Sequence, residues 1–141
     1  MRTYNESMEK TNVLFLLTPK VQVACLDETM NVRQALEKMR AHDYMAIPLI
    51  SKNGEYLGTI SEGDILWYIV DDESIDLEDL EDVKISQLLR ADYRPAVRVD
   101  CKISELAEKI VNNSFVPVVD DRNVLMGIVT RKRVLQELLK N

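Results

Sequence analysis

The amino-acid sequence predicts an α+β fold of tandem βαββα repeats related by a pseudo-twofold axis. Three observations predict it. Ile47-Pro48-Leu49-Ile50 is echoed 69 positions later by Val116-Pro117-Val118-Val119. Gly58-Thr59-Ile60-Ser61 is echoed at the same offset by Gly127-Ile128-Val129-Thr130, and Ile65-Leu66 by Val134-Leu135. Val32, Ala35, Leu36 and Met39 keep the spacing of one helix face, and Ile103, Leu106, Ala107 and Ile110 keep it again at an offset of 71. Self-similarity of this kind marks a repeated supersecondary unit. The offset changes because the second copy is two residues shorter between its helix and its proline strand.

Each copy is expected to open with a short strand, Val23–Leu26 in the first and Ala96–Val99 in the second. The amphipathic helix follows, and Asn31 with Gln34 has the form of a capping box. Next comes the proline strand, with Pro48 and Pro117 expected at a strand start or edge, where no ladder donor is lost. Lys52-Asn53-Gly54-Glu55 carries the Asn-Gly pair of a tight hairpin, and Asp120-Asp121-Arg122-Asn123 replaces it in the second copy. A second strand leads into a closing helix, Ile65–Val70 and then Val134–Lys140. Neither copy is large enough to bury its own helix face and sheet. Pairing the copies solves that.

At 141 residues the chain has the size of one domain, or of two half-size repeats sharing a core. A chain of this length buries roughly 70% of its unfolded surface and needs no staples. An apolar fraction of 46% and a charged fraction of 30% are ordinary for a soluble globular protein. The best candidate for a membrane segment, Val13–Leu17, is far short of the ~20 residues a span requires. It also lacks the features of a signal peptide, so a cytoplasmic location is expected. Cys25 and Cys101 form no CxxC or Cys/His cluster and are expected as buried free thiols. With His42 as the single histidine, neither a zinc site nor a His-based catalytic arrangement is easily assembled.

The net charge of −6 is concentrated in residues 71–82, which hold eight of the 24 acids and no base. Without them 16 acids face 18 bases, so charge argues against nucleic acid as the main partner while allowing a local anion site. The acidic run itself reads as a solvated connector.

The strand-to-helix junctions carry the candidate chemistry: Gly58-Thr59-Ile60-Ser61-Glu62-Gly63-Asp64 and Gly127-Ile128-Val129-Thr130-Arg131-Lys132-Arg133. Ser61 and Thr130 each suit an N-cap, and Ser61-x-x-Asp64 fits a capping box in form. At the second junction three consecutive cations stand in a first turn. The helix dipole disfavours each exposed cation there by a few tenths to about 1 kcal/mol. First-turn amides, a hydroxyl and guanidinium groups together make a phosphate receptor, so the cluster points to an anion rather than to solvated charges alone.

The repeat resembles the CBS domain, named from cystathionine β-synthase, and two copies resemble the CBS pair called a Bateman module. The resemblance covers residues 13–141, with an N-terminal extension at 1–12, one repeat at 13–70, an acidic linker at 71–85 and a second repeat at 86–141. It implies two clefts for adenosine-containing ligands, in which G-x-x-[ST]-x-x-[DN] supplies a hydroxyl near phosphate and an acid for the ribose. Gly58, Ser61 and Asp64 match fully; Gly127 and Thr130 match, but Arg133 replaces the acid. A Thr-Arg-x-Arg ending is similar to that of small bacterial CBS proteins that bind cyclic di-AMP, as is the stretch Asn112–Val116.

Carried over, the resemblance sets Ser61 and Asp64 against Pro95, Ala96, Val97, Ser114, Phe115 and Pro117. It sets Thr130, Arg131 and Arg133 against Thr18, Lys20, Val21, Met45, Ala46 and Pro48. Apolar members would sandwich the adenine while main-chain groups read its edge. Lys20 either adds a phosphate contact or stands as a solvated lysine. Met45, Phe115 and Trp67, taken singly, read as core. The expected function is regulatory sensing of AMP, ADP, ATP or cyclic di-AMP, with signalling to an effector protein. No cofactor is implied beyond that regulatory nucleotide. A homodimer is expected, and no nucleic-acid or membrane partner. The alternative is a ligand-independent scaffold using the acidic linker and Val13–Leu17 as contact surfaces. An enzymatic reading would need a nucleophile–base pair or metal cluster, and the residues offer neither.

Overall fold

In a computed structural model describing residues 12–90 and 95–140, the βαββα order appears twice. In chain order the first elements are α1 (Val13–Leu16), β1 (Thr18–Pro19), a 3-10 turn (Lys20–Gln22), β2 (Leu26–Asp27) and α2 (Val32–His42). Then come β3 (Ala46–Ile50), β4 (Tyr56–Ser61), α3 (Glu62–Asp71) and two further 3-10 turns, Leu77–Glu81 and Ile85–Leu88. The remainder is β5 (Val97–Arg98), α4 (Ile103–Ile110), β6 (Phe115–Val119), β7 (Leu125–Thr130) and α5 (Arg131–Leu139). These elements form two compact units. A continuous unit runs from Ala24 to Arg94, and a split unit joins the residues before Ala24 to those from Pro95 onward.

The continuous unit holds a sheet in the order β2-β3-β4, and the split unit one in the order β1-β7-β6-β5. In both, the short strand runs parallel to the proline strand and the two long strands form an antiparallel hairpin. Leu26, Val32, Ala35, Met39, Ile47, Leu49, Ile60 and Ile65 fill the first core. Val97, Ile103, Leu106, Ile110, Val116, Val118, Val129 and Val134 fill the second. The predicted helix faces thus point inward in both copies. Asn31 and Gln34 close the expected capping box: the Asn31 side chain accepts from the Gln34 amide at 2.8 Å, and the Gln34 side chain from the Asn31 amide at 3.0 Å.

Each core is completed by a segment that the repeat boundaries assign elsewhere. Val13 and Leu16 of α1 are buried in the split unit, together with the second repeat. Ile85 and Leu88, counterparts of those residues at an offset of 72, are buried in the continuous unit with the first repeat. Fully burying one such side chain is worth about 1.5–3 kcal/mol, so Val13 and Leu16 anchor the first entry segment, while Leu14 and Phe15 beside them are 51% and 68% exposed. The acidic run also does more than connect. Its carboxylates lie in water, but Leu80 is buried, and the Val83 carbonyl accepts from the Val32 amide at 2.9 Å.

Several expectations are corrected. The opening strands are two residues each rather than four, because the preceding carbonyls turn to lysines on the following helix. Lys38 Nζ donates to the Cys25 carbonyl at 2.5 Å, and Lys109 Nζ to that of Ala96 at 3.1 Å. Pro48 and Pro117 are the third residues of five-residue interior strands, not strand starts. Their missing donor costs nothing on one flank: the parallel strand begins pairing one residue later, at Leu49 and Val118. Cys25 and Cys101 are not joined in a disulfide, and both are half-buried rather than buried. Burial, followed by Glu105 and Asp100, pushes the Cys101 thiol up. Met45 and Trp67 are not core: they are 75% and 60% exposed, while Phe115 is half-buried.

Candidate functional site

Both junctions arise where a glycine-containing strand hands over to a helix. Gly127 is required by close packing: with φ at +158°, a Cβ there would sit 2.1 Å from the Thr18 carbonyl oxygen. That approach lets β1 pair with β7, Thr18 opposite Ile128 and Pro19 opposite Gly127. At the first junction the Ser61 hydroxyl accepts from the Asp64 amide at 3.1 Å, and Asp64 Oδ2 accepts from the Ser61 amide at 2.8 Å. The capping box is therefore real. The other Asp64 oxygen lies 3.1 Å from Arg90 Nε, and the carboxylate is only 10% exposed.

At the second junction Thr130 caps α5, accepting from the Arg133 amide at 3.1 Å. The Arg131 amide donates to the Ser114 carbonyl at 2.8 Å, so two first-turn amides are already satisfied. The arginines have structural tasks as well. Arg131 Nε donates to the Ile110 carbonyl at 3.1 Å and its Nη2 to that of Val111 at 3.2 Å, so it caps the C-terminus of α4. Cations are favoured at that end of a helix dipole, which accounts for Arg131 at the start of α5. Arg133 reaches Glu137 Oε2 at 3.0 Å and the Phe15 carbonyl at 3.3 Å. This contact and the nearby Lys140 hold the Glu137 carboxyl below its ordinary range. Of the three cations expected to form a receptor, only Arg133 stands half-buried among groups a ligand could replace; Lys132 is exposed.

The units group the remaining candidates differently from the expected sets. Thr18, Lys20 and Val21 lie in the split unit with Thr130, Arg131 and Arg133, and the Lys20–Gln22 turn packs on β7. Lys20 is half-buried and Val21 is 93% exposed. Pro95, Ala96, Val97, Ser114, Phe115 and Pro117 share that unit, with Phe115 directly opposite Thr130 and Pro117 opposite Ile128. Met45, Ala46 and Pro48 belong to the continuous unit with Ser61 and Asp64; Ala46 is opposite Ser61, and the Met45 carbonyl accepts from the Glu62 amide at 3.0 Å. Sequence reasoning missed Arg90, Lys38 and Lys109. The lysines repeat at the helix offset of 71, a signal that was available. Arg90 follows the Leu88-Leu89 pair that duplicates Leu16-Leu17.

Among the described residues no group of three or more His, Cys, Asp or Glu side chains could hold a metal ion. Nor is any helix among them long and apolar enough to cross a membrane.

Comparison with known proteins adds a second line of evidence. The family model of the CBS domain matches residues 16–71 and again 85–140. Cyclic di-AMP receptor B of Bacillus subtilis (strain 168) is 30% identical, over 85% of this chain and 81% of that protein. The crystal structure of CbpB in complex with c-di-AMP superposes with a TM-score of 0.84 at 27% identity, covering 96% of this chain and 91% of that one. Homoserine O-acetyltransferase of Methanocorpusculum labreanum is 28% identical over 82% of this chain, but the match takes in only 22% of that enzyme.

Proposed function

From the premise that the chain belongs to the CBS domain family and carries two of its repeats, we propose that it is a regulatory module sensing an adenine nucleotide, with cyclic di-AMP the first ligand to test. The carrying observation is the glycine–hydroxyl junction, formed twice with the hydroxyl at a helix start, in a chain 30% identical to a cyclic di-AMP receptor. AMP, ADP and ATP have the same adenosine and phosphate chemistry and belong in the same screen. In the split unit, Thr130 and Arg133, with Thr18 and Lys20 on the neighbouring turn and strand, supply the phosphate side. In the continuous unit, Asp64 takes ribose hydroxyls when Arg90 swings away from Oδ1. The remaining candidates, Met45, Ala46, Pro48, Pro95, Ala96, Val97, Ser114, Phe115 and Pro117, supply apolar walls and main-chain groups for the adenine.

The chain performs no chemistry on the nucleotide in this reading; it acts in the cytoplasm through a partner protein. Self-association into a homodimer is supported by apolar side chains at equivalent positions on two closing helices. Leu66 and Val70 on α3 are 55% and 54% exposed, and Leu135 and Leu139 on α5 are 51% and 83% exposed. Signalling requires the ligand to prefer one state of the module over another.

Titration calorimetry and thermal shift with cyclic di-AMP, AMP, ADP and ATP test this. Ligand at a hundred times its Kd stabilises the folded chain by about 2.7 kcal/mol and raises the melting temperature accordingly. No heat and no shift with any of the four sinks the sensor reading in favour of a ligand-independent scaffold.

A further inference from the structure

The closing helices of the two units differ four residues beyond their third position. In α3 the third residue is Asp64 and Tyr68 follows one turn later; in α5 the third residue is Arg133 and Glu137 follows. The repeat plan does not call for a carboxylate at that place, since the first copy does without one. Glu137 is the sole acid of α5, which opens with three cations. It is set on one of them: Glu137 Oε2 accepts from Arg133 Nη1 at 3.0 Å.

The Arg133 and Glu137 side chains are 26% and 20% exposed, so their attraction is less screened than that of a pair standing in water. Arg133 Nη2 donates in turn to the Phe15 carbonyl at 3.3 Å. Both terminal nitrogens of the guanidinium thus meet oxygens of the protein, and a phosphate would bind through the same nitrogens. The Glu137 oxygen on Arg133 also lies 3.4 Å from Lys140 Nζ, at the exposed end of the helix. A carboxylate between two cations can leave one and stay charged beside the other. All these residues belong to the split unit, so the exchange takes place within one compact body.

We propose that Glu137 is a specificity-determining residue of the second junction: an internal anion that occupies Arg133 while the site is empty and yields to a phosphate by turning to Lys140. The proposal rests on the nucleotide reading for the identity of the ligand, but not for the exchange itself. Glu137 raises the threshold for any anion at Arg133 and leaves an uncharged nucleoside unaffected. The guanidinium is kept in place and neutralised until a stronger acceptor arrives.

The test is calorimetric titration of the full chain with adenosine and with ADP. Pyrophosphate is the probe at the arginine itself, followed by NMR of the Arg133 Nε–H. Glu137→Gln should tighten ADP about fivefold and leave adenosine unchanged, and pyrophosphate should move the Arg133 signal at a correspondingly lower concentration. Glu137→Asp, too short to span the turn as well, should fall between and carries the test if the amide variant does not fold. Lys140→Met should weaken ADP, because Glu137 then has no second cation to turn to. Glu108→Gln, which removes the same charge from an exposed position on α4, should change ADP by less than about twofold. Equal gains from the Glu137 and Glu108 variants would reduce the effect to net charge and overturn the proposal. Weaker ADP binding in Glu137→Gln also overturns it, since Glu137 would then be a support that holds Arg133 for the ligand. If no nucleotide binds but pyrophosphate reaches Arg133 more tightly in Glu137→Gln, the exchange stands and the adenine reading fails. If nucleotide binds equally to the variant and its parent, the adenine reading stands and the exchange fails. No pyrophosphate response in either protein sinks the exchange as well.

Discussion

The continuous and split units share a backbone plan and differ in the chemistry at equivalent positions. Gly58 faces the Leu89 side chain, 2.6 Å from where a Cβ would stand, whereas Gly127 faces the backbone of β1. At the hairpin corner, Ser51 Oγ accepts from the amides of Asn53 and Glu55 in one unit. In the other, Asp120 Oδ1 accepts from those of Arg122 and Val124. The closing helix has Asp64 at its third position in one and Arg133 in the other. Repetition preserves the geometry a position must satisfy. It leaves free which group satisfies it, and the substitutions here mostly change charge.

The largest expected effect separates the glycines. Gly127→Ala should cost about 3 kcal/mol in urea denaturation, because the carbonyl of a paired strand cannot step aside. Gly58→Ala should cost nearer 1 kcal/mol, since Leu89 is a flexible side chain. Equal losses would erase the distinction. Next, Asp64→Asn should weaken cyclic di-AMP about tenfold, or 1.4 kcal/mol, by calorimetry, while keeping the Ser61 hydroxyl cap and losing the ion pair with Arg90. Arg133→Met should instead penalise ADP and ATP relative to adenosine. If both variants treat adenosine and its phosphates alike, the two junctions do not divide the ligand between them.

Arg131→Met should lower stability by about 1 kcal/mol through the uncapped end of α4, with nucleotide affinity little changed. A selective loss of phosphate binding would return Arg131 to the ligand. The smallest effect is on acid sensitivity. The backbone amides of Val124 and Arg122 hold the Asp120 carboxyl below its ordinary range. A depressed folded pKa means this support is present above the usual aspartate value, about 3.9, and is lost as pH falls through the lower folded value. Hydrogen exchange at Val124 should therefore accelerate in acid more than at Glu55, whose corner rests on a serine. Matching profiles would remove the contrast.

Periodicity and the 69- and 71-residue offsets made the helix faces, hairpins and capped junctions legible. These features depend on neighbours close in sequence. The entry segments were not legible, because Leu16 and Leu88 are held by contacts with distant residues and form too little local structure to leave a periodic trace. Arg131 misled for another reason: an arginine at a helix start looks the same whether it awaits an anion or caps another helix. Trp67 and Met45 occupy positions whose exposure no spacing rule distinguishes from burial. The two-residue offset change was visible from the start, yet its effect on the helix ends, a left-handed Asp43 in one copy and the Arg131 side chain in the other, required the structure.

The exchange of entry segments also governs how the molecule can be cut. One unit is a guest stitched into a host, since the host owns the chain on both sides of it. A fragment truncated at Val70 forfeits Leu80, Ile85 and Leu88 from the guest's interior. A fragment begun at residue 86 strips the host of Val13 and Leu16. Clean halves come only from excising residues 24–94 whole and splicing Val23 to Pro95.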